Sequence, residues 1–304
     1  MQPTFPCPLA EKRPSGPHML ACSSRDWTVC VSTASLIALS FILPIMLQEL
    51  RLFLTAIQFF TRIPVPAWVG HSPLQLNQAA RYFPLTGIIV GTLSAAVLMI
   101  AALVLPLSLA VGLSMTASIL ITGAFHEDGL SDFTDGLGGG YTRERTLEIM
   151  KDSRVGAYGA IALVMVLLLK YQSLLSLCGA HSQLYVAATL IAAHSISRLM
   201  AASLMLTQRY IRDDDSARAK PAAQQISPVS FTIALATSIA SLLILYAAGA
   251  HVLPVLTAFI SALLMRIYLA WRLKKRLGGY TGDCLGAVQQ LTELAFYLGL
   301  LATF

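Results

Sequence analysis

The amino-acid sequence predicts an all-α integral membrane protein, a polytopic helical bundle with about seven transmembrane helices. Of its 304 residues, 56% are hydrophobic and only 12% are charged, and the mean hydropathy is +0.69. Soluble domains carry about 25% charged residues, so this composition excludes that class. The apolar runs approach the ~20 residues that a helix needs to cross the hydrocarbon. Helices also satisfy their backbone polar groups internally, and the runs are too long for barrel strands.

The N-terminal part of the chain differs from the rest. Residues 1–28 are polar and patternless, and residues 29–47 form an apolar run. That run is a signal anchor or an eighth span, because no small-residue cleavage site follows it. Alternatively, translation starts at Met46. We therefore divide the chain into an N-terminal extension, residues 1–45, and a membrane-embedded domain, residues 46–304.

The next segment, residues 48–63, has apolar residues at helical spacing, interrupted by polar ones, and it stops at Pro64. This pattern predicts a helix that lies at the membrane interface or lines a polar cavity. Its polar side chains, Arg62 among them, are candidates for substrate binding.

Seven apolar segments follow, and each is close to the length of one span. They are residues 84–105, 107–125, 157–178, 184–206, 228–250, 252–271 and 284–303. Long connections that hold 13 of the 21 Lys and Arg alternate with short ones that hold none; the long ones are 64–83, 126–156, 207–227 and 272–283. The positive-inside rule therefore places every long connection in the cytoplasm and the C-terminus on the opposite side.

The strongest concentration of charge lies at residues 122–156, which hold seven of the fifteen acidic residues. Asp128, Asp132 and Asp135 are spaced i, i+4, i+7, so on a helix they share one face and repel one another unless a cation lies among them. Oxygen ligands without a companion cysteine favour Mg²⁺ or Mn²⁺ over Zn²⁺. The spacing thus predicts a magnesium site, with a solvated acidic loop as the alternative.

Glycines and basic residues come directly after these aspartates. Gly138 and Gly139 allow the backbone to approach a ligand closely, although a flexible hinge would have the same composition. Arg143, Lys151 and Arg154 are suited to hold a phosphate group. The alternative is ordinary ion pairing with the glutamates of a cytoplasmic helix.

Two later connections repeat this combination of acids and bases. Residues 208–220 set Asp213, Asp214 and Asp215 among four basic residues, and residues 272–283 join a basic cluster to Asp283. Either connection is suited to a metal-bound phosphate, and a plain solvated loop has the same composition.

Several ionisable residues lie within the apolar segments, where they are costly and face a cavity or a partner. Gln290 and Glu293 are three residues apart and share a helix face, which we expect to point inward. His194 and Arg198 are four apart and are expected to do likewise. For Lys170 we expect the side chain to extend toward the membrane surface.

Cytoplasmic carboxylates, glycines and cations at the end of a helical bundle indicate metal-assisted transfer of a phosphate-linked group. The residues alone leave the transferred group open, with prenyl transfer from a diphosphate and ion transport as alternatives. Nucleic-acid binding is excluded despite the net charge of +6, because the cations flank apolar spans instead of forming a basic face. The oligomeric state stays open.

The motifs resemble those of the adenosylcobinamide-GDP ribazoletransferase family, also called cobalamin 5'-phosphate synthase, from Gln48 to the C-terminus. The matching motifs are FLTAIQFFTRIPVP (53–66), YFPLTGIIVG (82–91), the segment FHEDGLSDFTDGLGGGYTRERTLEIMKDSRVGAYG (125–159), RDDD (212–215) and GYTGDCLGAVQQLTELAFY (279–297). The resemblance implies a Mg²⁺-dependent enzyme of the cell inner membrane that faces the cytoplasm. Its substrates would be adenosylcobinamide-GDP and α-ribazole or α-ribazole 5'-phosphate, and it would release GMP.

The resemblance also implies roles for individual residues. Magnesium would bind Asp128, Asp132 and Asp135, with Glu127 as an additional ligand. The proton acceptor would be Asp135 or His126, with Asp152 ranked third. The substrate-binding candidates are Arg62, Gly138, Gly139, Arg143, Lys151, Arg154, Asp214, Asp283 and Gln290, and the catalytic candidates are Asp132, Asp135, His126 and Asp152.

Overall fold

A computed structural model describes residues 43–70, 72–152, 154–211 and 223–303. Within these ranges the chain is helical and contains no strand, which confirms the all-α prediction. The helices in chain order are α1 Leu43–Phe60, α2 Pro73–Ala79, α3 Phe83–Ala101, α4 Leu107–Thr122, α5 Phe125–Gly139, α6 Arg143–Lys151, α7 Ala157–Ala180, α8 Gln183–Thr207, α9 Pro228–Ala247, α10 Val252–Arg276 and α11 Gly282–Leu301.

Seven spans in the described ranges are long and apolar enough to cross a membrane, or eight if the bent pair α4–α5 counts as one. The predicted number of about seven is therefore confirmed, and six of the seven predicted segments correspond to these spans. Helices α8 and α11 are mostly buried along their length, whereas α7, α9 and α10 expose most of theirs. The two buried helices thus form the centre of the bundle, and the others present apolar side chains outward.

The helix predicted over residues 48–63 is present but begins earlier. Helix α1 runs from Leu43 to Phe60 and is long and apolar enough to be a candidate span. The end of the apolar N-terminal run continues directly into this helix. Beyond Phe60 the chain is not helical through Pro64 and Pro66, which lack the N–H that a helix needs. The remainder of the predicted extension lies outside the described residues.

The span predicted over residues 107–125 is also wrong in its bounds. Helix α4 ends at Thr122, and the axis then turns by 87° into α5. Gly123 and Ala124 form this bend with φ of 64° and 58°, in the left-handed region that glycine adopts freely. The connection predicted over residues 126–156 therefore contains two helices, because the acidic stretch continues as α5 and α6 instead of leaving the fold as a loop.

Small residues let the helices around the centre approach closely. A Cβ on Gly87 of α3 would lie 2.2 Å from the carbonyl oxygen of His194 in α8. A Cβ on Gly129 of α5 would lie 3.0 Å from the backbone oxygen of Asp283, and 3.2 Å from Gly286 Cα, in α11. Such contacts are typical of helix packing in membranes. They seat the acidic helix α5 directly on the first turns of α11.

The connections that share one end of the bundle are linked by hydrogen bonds. Ile211 N–H donates to the Tyr280 carbonyl at 2.9 Å, and the Tyr280 hydroxyl donates to the carbonyl of Gln224 at 2.9 Å. Gln224 N–H in turn donates to Asn77 Oδ1 at 2.7 Å. Three separate connections are thus tied together on the side where α11 begins.

Candidate active site

One face of α5 carries the three predicted aspartates at different depths. Asp128 is exposed, Asp132 is half-buried and Asp135 is buried. Their common face confirms that the acidic stretch is an amphipathic helix and not a solvated loop. Because successive helical residues are about 100° apart, Glu127 points away from this face. The predicted fourth ligand is therefore not brought together with the other three.

The carboxylate of Asp135 binds the start of α7. Its Oδ2 accepts the Gly156 N–H at 2.7 Å, and its Oδ1 accepts the Gly159 N–H at 2.9 Å. Gly156 is the N-cap of α7, so the negative charge also lies at the positive end of the helix dipole. A Cβ on Gly156 or on Gly159 would lie 2.3 Å from this carboxylate. Asp135 therefore fixes α5 to α7, which is a different role from the metal ligand or proton acceptor predicted.

The other two aspartates, Asp128 and Asp132, offer the oxygen ligands that a magnesium ion prefers. Within the described ranges, no three Asp, Glu, His or Cys side chains form a group that could hold a metal ion. Magnesium, however, usually takes one or two protein carboxylates and completes its shell with water and substrate phosphate. Asp128 and Asp132 lie on one face, one helical turn apart, at the accessible end of the acidic series. They suit such a two-carboxylate site.

The basic segment after α5 lies at the surface. Arg143, Lys151 and Arg154 are all exposed. Arg154 donates through Nη2 to Asp152 Oδ2 at 2.5 Å and through Nε to Oδ1 at 3.0 Å. These bonds from Arg154 lower the pKa of Asp152 to about 2. Asp152 is therefore ionised and weakly basic near neutral pH, which disfavours its predicted role as proton acceptor.

The glycine run permits close approach between parts of the protein. A Cβ on Gly138 would lie 2.6 Å from the ring of Tyr158, and one on Gly139 would lie 3.3 Å from Ile149 Cδ1. The carbonyl of Gly140 accepts a hydrogen bond from Arg276. The run therefore packs α5 tightly against α6 and α7, which accounts for these glycines without the ligand contact that was predicted.

His126 lies on the far side of α5 from the aspartates. Its imidazole is buried and stacks on Phe60, with ring centroids 5.4 Å apart and planes at 10°. Its Nε2 atom has no hydrogen-bond partner among the described residues. The structure thus places His126 in the interior and does not bring it together with Asp128 and Asp132.

Three other predicted site residues lie around this helix or beyond the described ranges. Arg62 is exposed beside the α4–α5 bend, where its backbone N–H donates to the Ile121 carbonyl at 2.8 Å. Asp283 is half-buried in the first turn of α11, against Gly129. Asp214 lies outside the described residues.

A second group of charged residues is buried where α5, α7, α8 and α11 meet. Lys170 is 5% exposed, and its Nζ donates to Gln290 Oε1 at 2.7 Å and to Glu293 Oε1 at 2.8 Å. The expectation that Lys170 extends to the membrane surface is therefore wrong. The position of Lys170 could have predicted its burial, because it lies ten residues before the end of α7 at Ala180 and therefore near the middle of the helix. Gln290 also donates through Nε2 to Glu127 Oε1 at 2.9 Å.

The network continues into α8. Glu293 Oε2 accepts from Gln289 Nε2 at 2.6 Å and lies 3.4 Å from His194 Nδ1. Arg198 donates to the His194 carbonyl at 2.9 Å. The inward orientation predicted for these ionisable residues is confirmed, whereas the bonds from Gln289 to Ser197 and Glu293 were not predicted, because the contact with Ser197 joins two distant helices.

A small cleft adjoins this network. Its polar lining includes Glu127, Lys170, His194 and Glu293 together with Ser94 and Ser114. The second carboxylate oxygen of Glu127, Oε2, is buried without a hydrogen-bond partner among the described residues. The polar interior thus reaches from α5 toward the middle of the bundle.

Comparison with known proteins identifies the family. The family model for cobalamin-5-phosphate synthase matches residues 52–301. A protein of Shewanella frigidimarina named adenosylcobinamide-GDP ribazoletransferase is 48% identical over 256 residues, covering 84% of this chain and 96% of the relative. Proteins with the same name from Shewanella piezotolerans and Leptothrix cholodnii are 49% and 47% identical, over 84% of this chain and 96% and 97% of theirs. No solved structure matches the chain.

Proposed function

The chain belongs to the cobalamin-5-phosphate synthase family, and on that premise we propose that it is an adenosylcobinamide-GDP ribazoletransferase. It transfers the phosphocobinamide group of adenosylcobinamide-GDP to α-ribazole or its 5'-phosphate and releases GMP. The acceptor hydroxyl loses its proton and forms the new bond to phosphorus, while the bond between that phosphorus and the departing GMP breaks; the proton is released with GMP. This is a late step of cobalamin biosynthesis.

The observation that best supports this function is the arrangement of α5 and the segment after it. Asp128 and Asp132 lie on an accessible helix face. The exposed cations Arg143, Lys151 and Arg154 follow 11 to 22 residues after Asp132 in the sequence. A protein site for a nucleotide diphosphate needs groups of both signs. Carboxylates hold the cation that bridges the phosphates, and basic side chains bind the phosphate oxygens. The long, specific motif at residues 125–159 is the part of the chain that carries both.

Residues of the chain have distinct proposed tasks in this reaction. Asp128 and Asp132 would hold Mg²⁺, which when bound neutralises charge on the diphosphate. Arg143, Lys151 and Arg154 bind the phosphate oxygens, and Arg154 releases Asp152 to do so. Asp135 keeps α5 docked on α7, so the carboxylates and the cations stay in a fixed relation. Catalysis then consists mainly of positioning and charge stabilisation.

We further propose that the protein lies in the cell inner membrane with this site facing the cytoplasm. The connections that hold 13 of the 21 Lys and Arg lie at alternate helix ends, which the positive-inside rule assigns to the cytoplasm, and the short connections at the other ends hold none. The substrates are nucleotide derivatives, which the cytoplasm supplies.

The direct test is to incubate the purified protein in detergent with adenosylcobinamide-GDP, α-ribazole 5'-phosphate and Mg²⁺. A complete corrinoid detected by mass, together with an equal amount of GMP, is the expected result. Replacing the phosphate by α-ribazole identifies the better acceptor, and omitting Mg²⁺ tests the metal requirement. Absence of a corrinoid product with both acceptors would overturn the proposal.

Two rival activities are distinguished by their substrates. A CDP-alcohol phosphotransferase or a prenyltransferase would turn over a lipid or prenyl diphosphate and leave adenosylcobinamide-GDP intact. An ion-coupled transporter would move ions across sealed vesicles, lose that flux in Asp132→Asn and form no covalent product.

A further inference from the structure

The acidic helix is connected to the bundle centre by a chain of three side chains. Lys170 of α7 donates to Gln290 Oε1 at 2.7 Å, and Gln290 of α11 donates through Nε2 to Glu127 Oε1 of α5 at 2.9 Å. Lys170 and Gln290 are 5% and 3% exposed, so water does not compete for these bonds. In a water-poor interior, hydrogen bonds between such groups are electrostatically strong.

The bonding capacity of each group fixes the direction of this chain. A lysine ammonium can only donate hydrogen bonds, and a carboxylate can only accept them. Gln290 lies between the two and must therefore turn its oxygen toward Lys170 and its NH₂ toward Glu127. An amide is the neutral side chain that can satisfy a cation on one side and an anion on the other.

Holding Glu127 determines where the neighbouring aspartates point. Glu127 and Asp128 are adjacent, so their side chains leave α5 about 100° apart. When Gln290 draws Glu127 toward α11, Asp128 and Asp132 are turned to the accessible face. The bend at Gly123 makes such a constraint necessary, because α5 does not continue the straight axis of α4.

We propose that Gln290 is a positioning residue which, oriented by Lys170, holds Glu127 and so sets the rotation of α5 that turns Asp128 and Asp132 to the accessible face. This inference rests on the proposed function and deepens it. Gln290 then acts through Glu127 without contacting the substrate, and Glu127 serves as an anchor in place of the metal ligand predicted from its sequence position.

The test is a Mn²⁺ titration of the full chain in detergent, followed by electron paramagnetic resonance of the free ion, with no cobinamide substrate present. Mn²⁺ takes the same oxygen ligands as Mg²⁺. We expect Gln290→Met to weaken Mn²⁺ binding by about 10- to 100-fold, the range seen when groups that orient metal ligands are removed. GMP release should require correspondingly more Mg²⁺, while the KM for adenosylcobinamide-GDP measured at saturating Mg²⁺ stays unchanged.

Gln289→Met is the matched control. Gln289 neighbours Gln290 in α11, is 1% exposed, and donates to Ser197 Oγ at 3.0 Å and to Glu293, but not to Glu127. Both variants replace a buried amide by methionine and lose buried hydrogen bonds, so both should lower the unfolding temperature. Only Gln290→Met should weaken Mn²⁺ binding by more than threefold.

An exchange of the two side chains gives a second test. Gln290→Glu alone sets two carboxylates against each other, whereas Glu127→Gln combined with Gln290→Glu restores the order of donor and acceptor from Lys170. The double variant should bind Mn²⁺ at least tenfold more tightly than the Gln290→Glu single variant. A double variant that binds no better than the single one would show that Glu127 itself contacts the ion and would overturn the proposal.

The remaining outcomes are equally decisive. Equal loss of Mn²⁺ affinity in the Gln290→Met and Gln289→Met variants would indicate general loosening and overturn the inference, as would a wild-type chain that binds no Mn²⁺. If the wild type forms no corrinoid product and the two variants still differ in Mn²⁺ binding, the proposed function fails and the positioning role stands.

Discussion

The outer face of α5 and the buried network around Glu293 are both built from charged residues, yet their charges are arranged differently. The accessible part of the α5 face carries Asp128 and Asp132 on a helix that contains no Lys or Arg, while Asp135 at its buried end binds the backbone of α7. The buried network sets Glu127 and Glu293 against Lys170 and Arg198, two charges of each sign. Excess charge of one sign at an accessible face indicates a ligand, whereas balanced charge in the interior indicates structure. The predictions below test this distinction.

The largest effect is expected for Lys170→Met in the buried network. This change leaves the Glu293 carboxylate buried without its cation, and breaking a buried pair in this way costs about 3–5 kcal/mol. Thermal unfolding in detergent should show a large drop in the unfolding temperature. Lys170→Met combined with Glu293→Gln removes both charges and should recover most of the loss. A double variant as unstable as the single one would refute the balanced-charge account.

On the α5 face, Asp132→Asn should have the opposite profile. Removing a carboxylate from the proposed ion site should lower the rate of GMP release by about 10²–10³-fold, the effect typical of losing one electrostatic contact to the reacting groups. The variant should still fold in detergent, because asparagine keeps the size and shape of the aspartate side chain. Retention of full activity in a folded Asp132→Asn protein would remove the argument that this face holds the ion.

A smaller effect is expected at the junction between the two regions. In Gly159→Ala the new Cβ would lie 2.3 Å from Asp135 Oδ2 and 2.4 Å from Ser131 Oγ. Such overpacking typically destabilises by about 1–3 kcal/mol. Gly179→Ala in the same helix has no atom within 4 Å of the new Cβ and should stabilise by about 0.5–1 kcal/mol, since alanine favours helices. Equal unfolding temperatures would mean that Asp135 does not fix α5 to α7.

The smallest effect is expected for the exposed pair Asp152–Arg154. The pKa of Asp152 is lowered from 3.8 to about 2 by Arg154, so the pair stabilises the fold above about pH 4 and loses this contribution as the pH falls toward 2. Because the pair is exposed, Asp152→Asn should barely change the unfolding temperature at pH 7. Unfolding curves at pH 7, 4 and 2.5 should converge with those of the wild type at the lowest pH.

The sequence was sufficient for the fold class and for most spans, because length and apolarity alone decide whether a helix crosses a membrane. It failed where a local feature altered the path of the chain. The bend at Gly123 and Ala124 lies inside an apolar run, so hydropathy continued the span through it. The start of helix α1 was predicted five residues too late, because its first residues belong to a run that had been assigned mostly to the N-terminal extension.

The candidate site was predicted in part, for a related reason. The i, i+4, i+7 spacing placed Asp128, Asp132 and Asp135 on one face, as the structure does. Spacing within one helix could not reveal that Asp135 binds the backbone of α7, since that contact joins residues 21 and 24 positions apart. Nor could it reveal that Lys170 meets Gln290 from 120 positions away. Contacts between distant helices need the tertiary fold.

The sharp turn after Thr122 has a consequence for biosynthesis. The insertion machinery meets in α4 a stretch of sixteen residues without any charge, and only afterwards the acids of α5. If α4 and α5 formed one straight helix, its carboxylates would have to enter the hydrocarbon during membrane insertion. With the corner at residues 123 and 124, the acids of α5 leave the axis of α4, so α4 can cross the hydrocarbon without carboxylates in line with it.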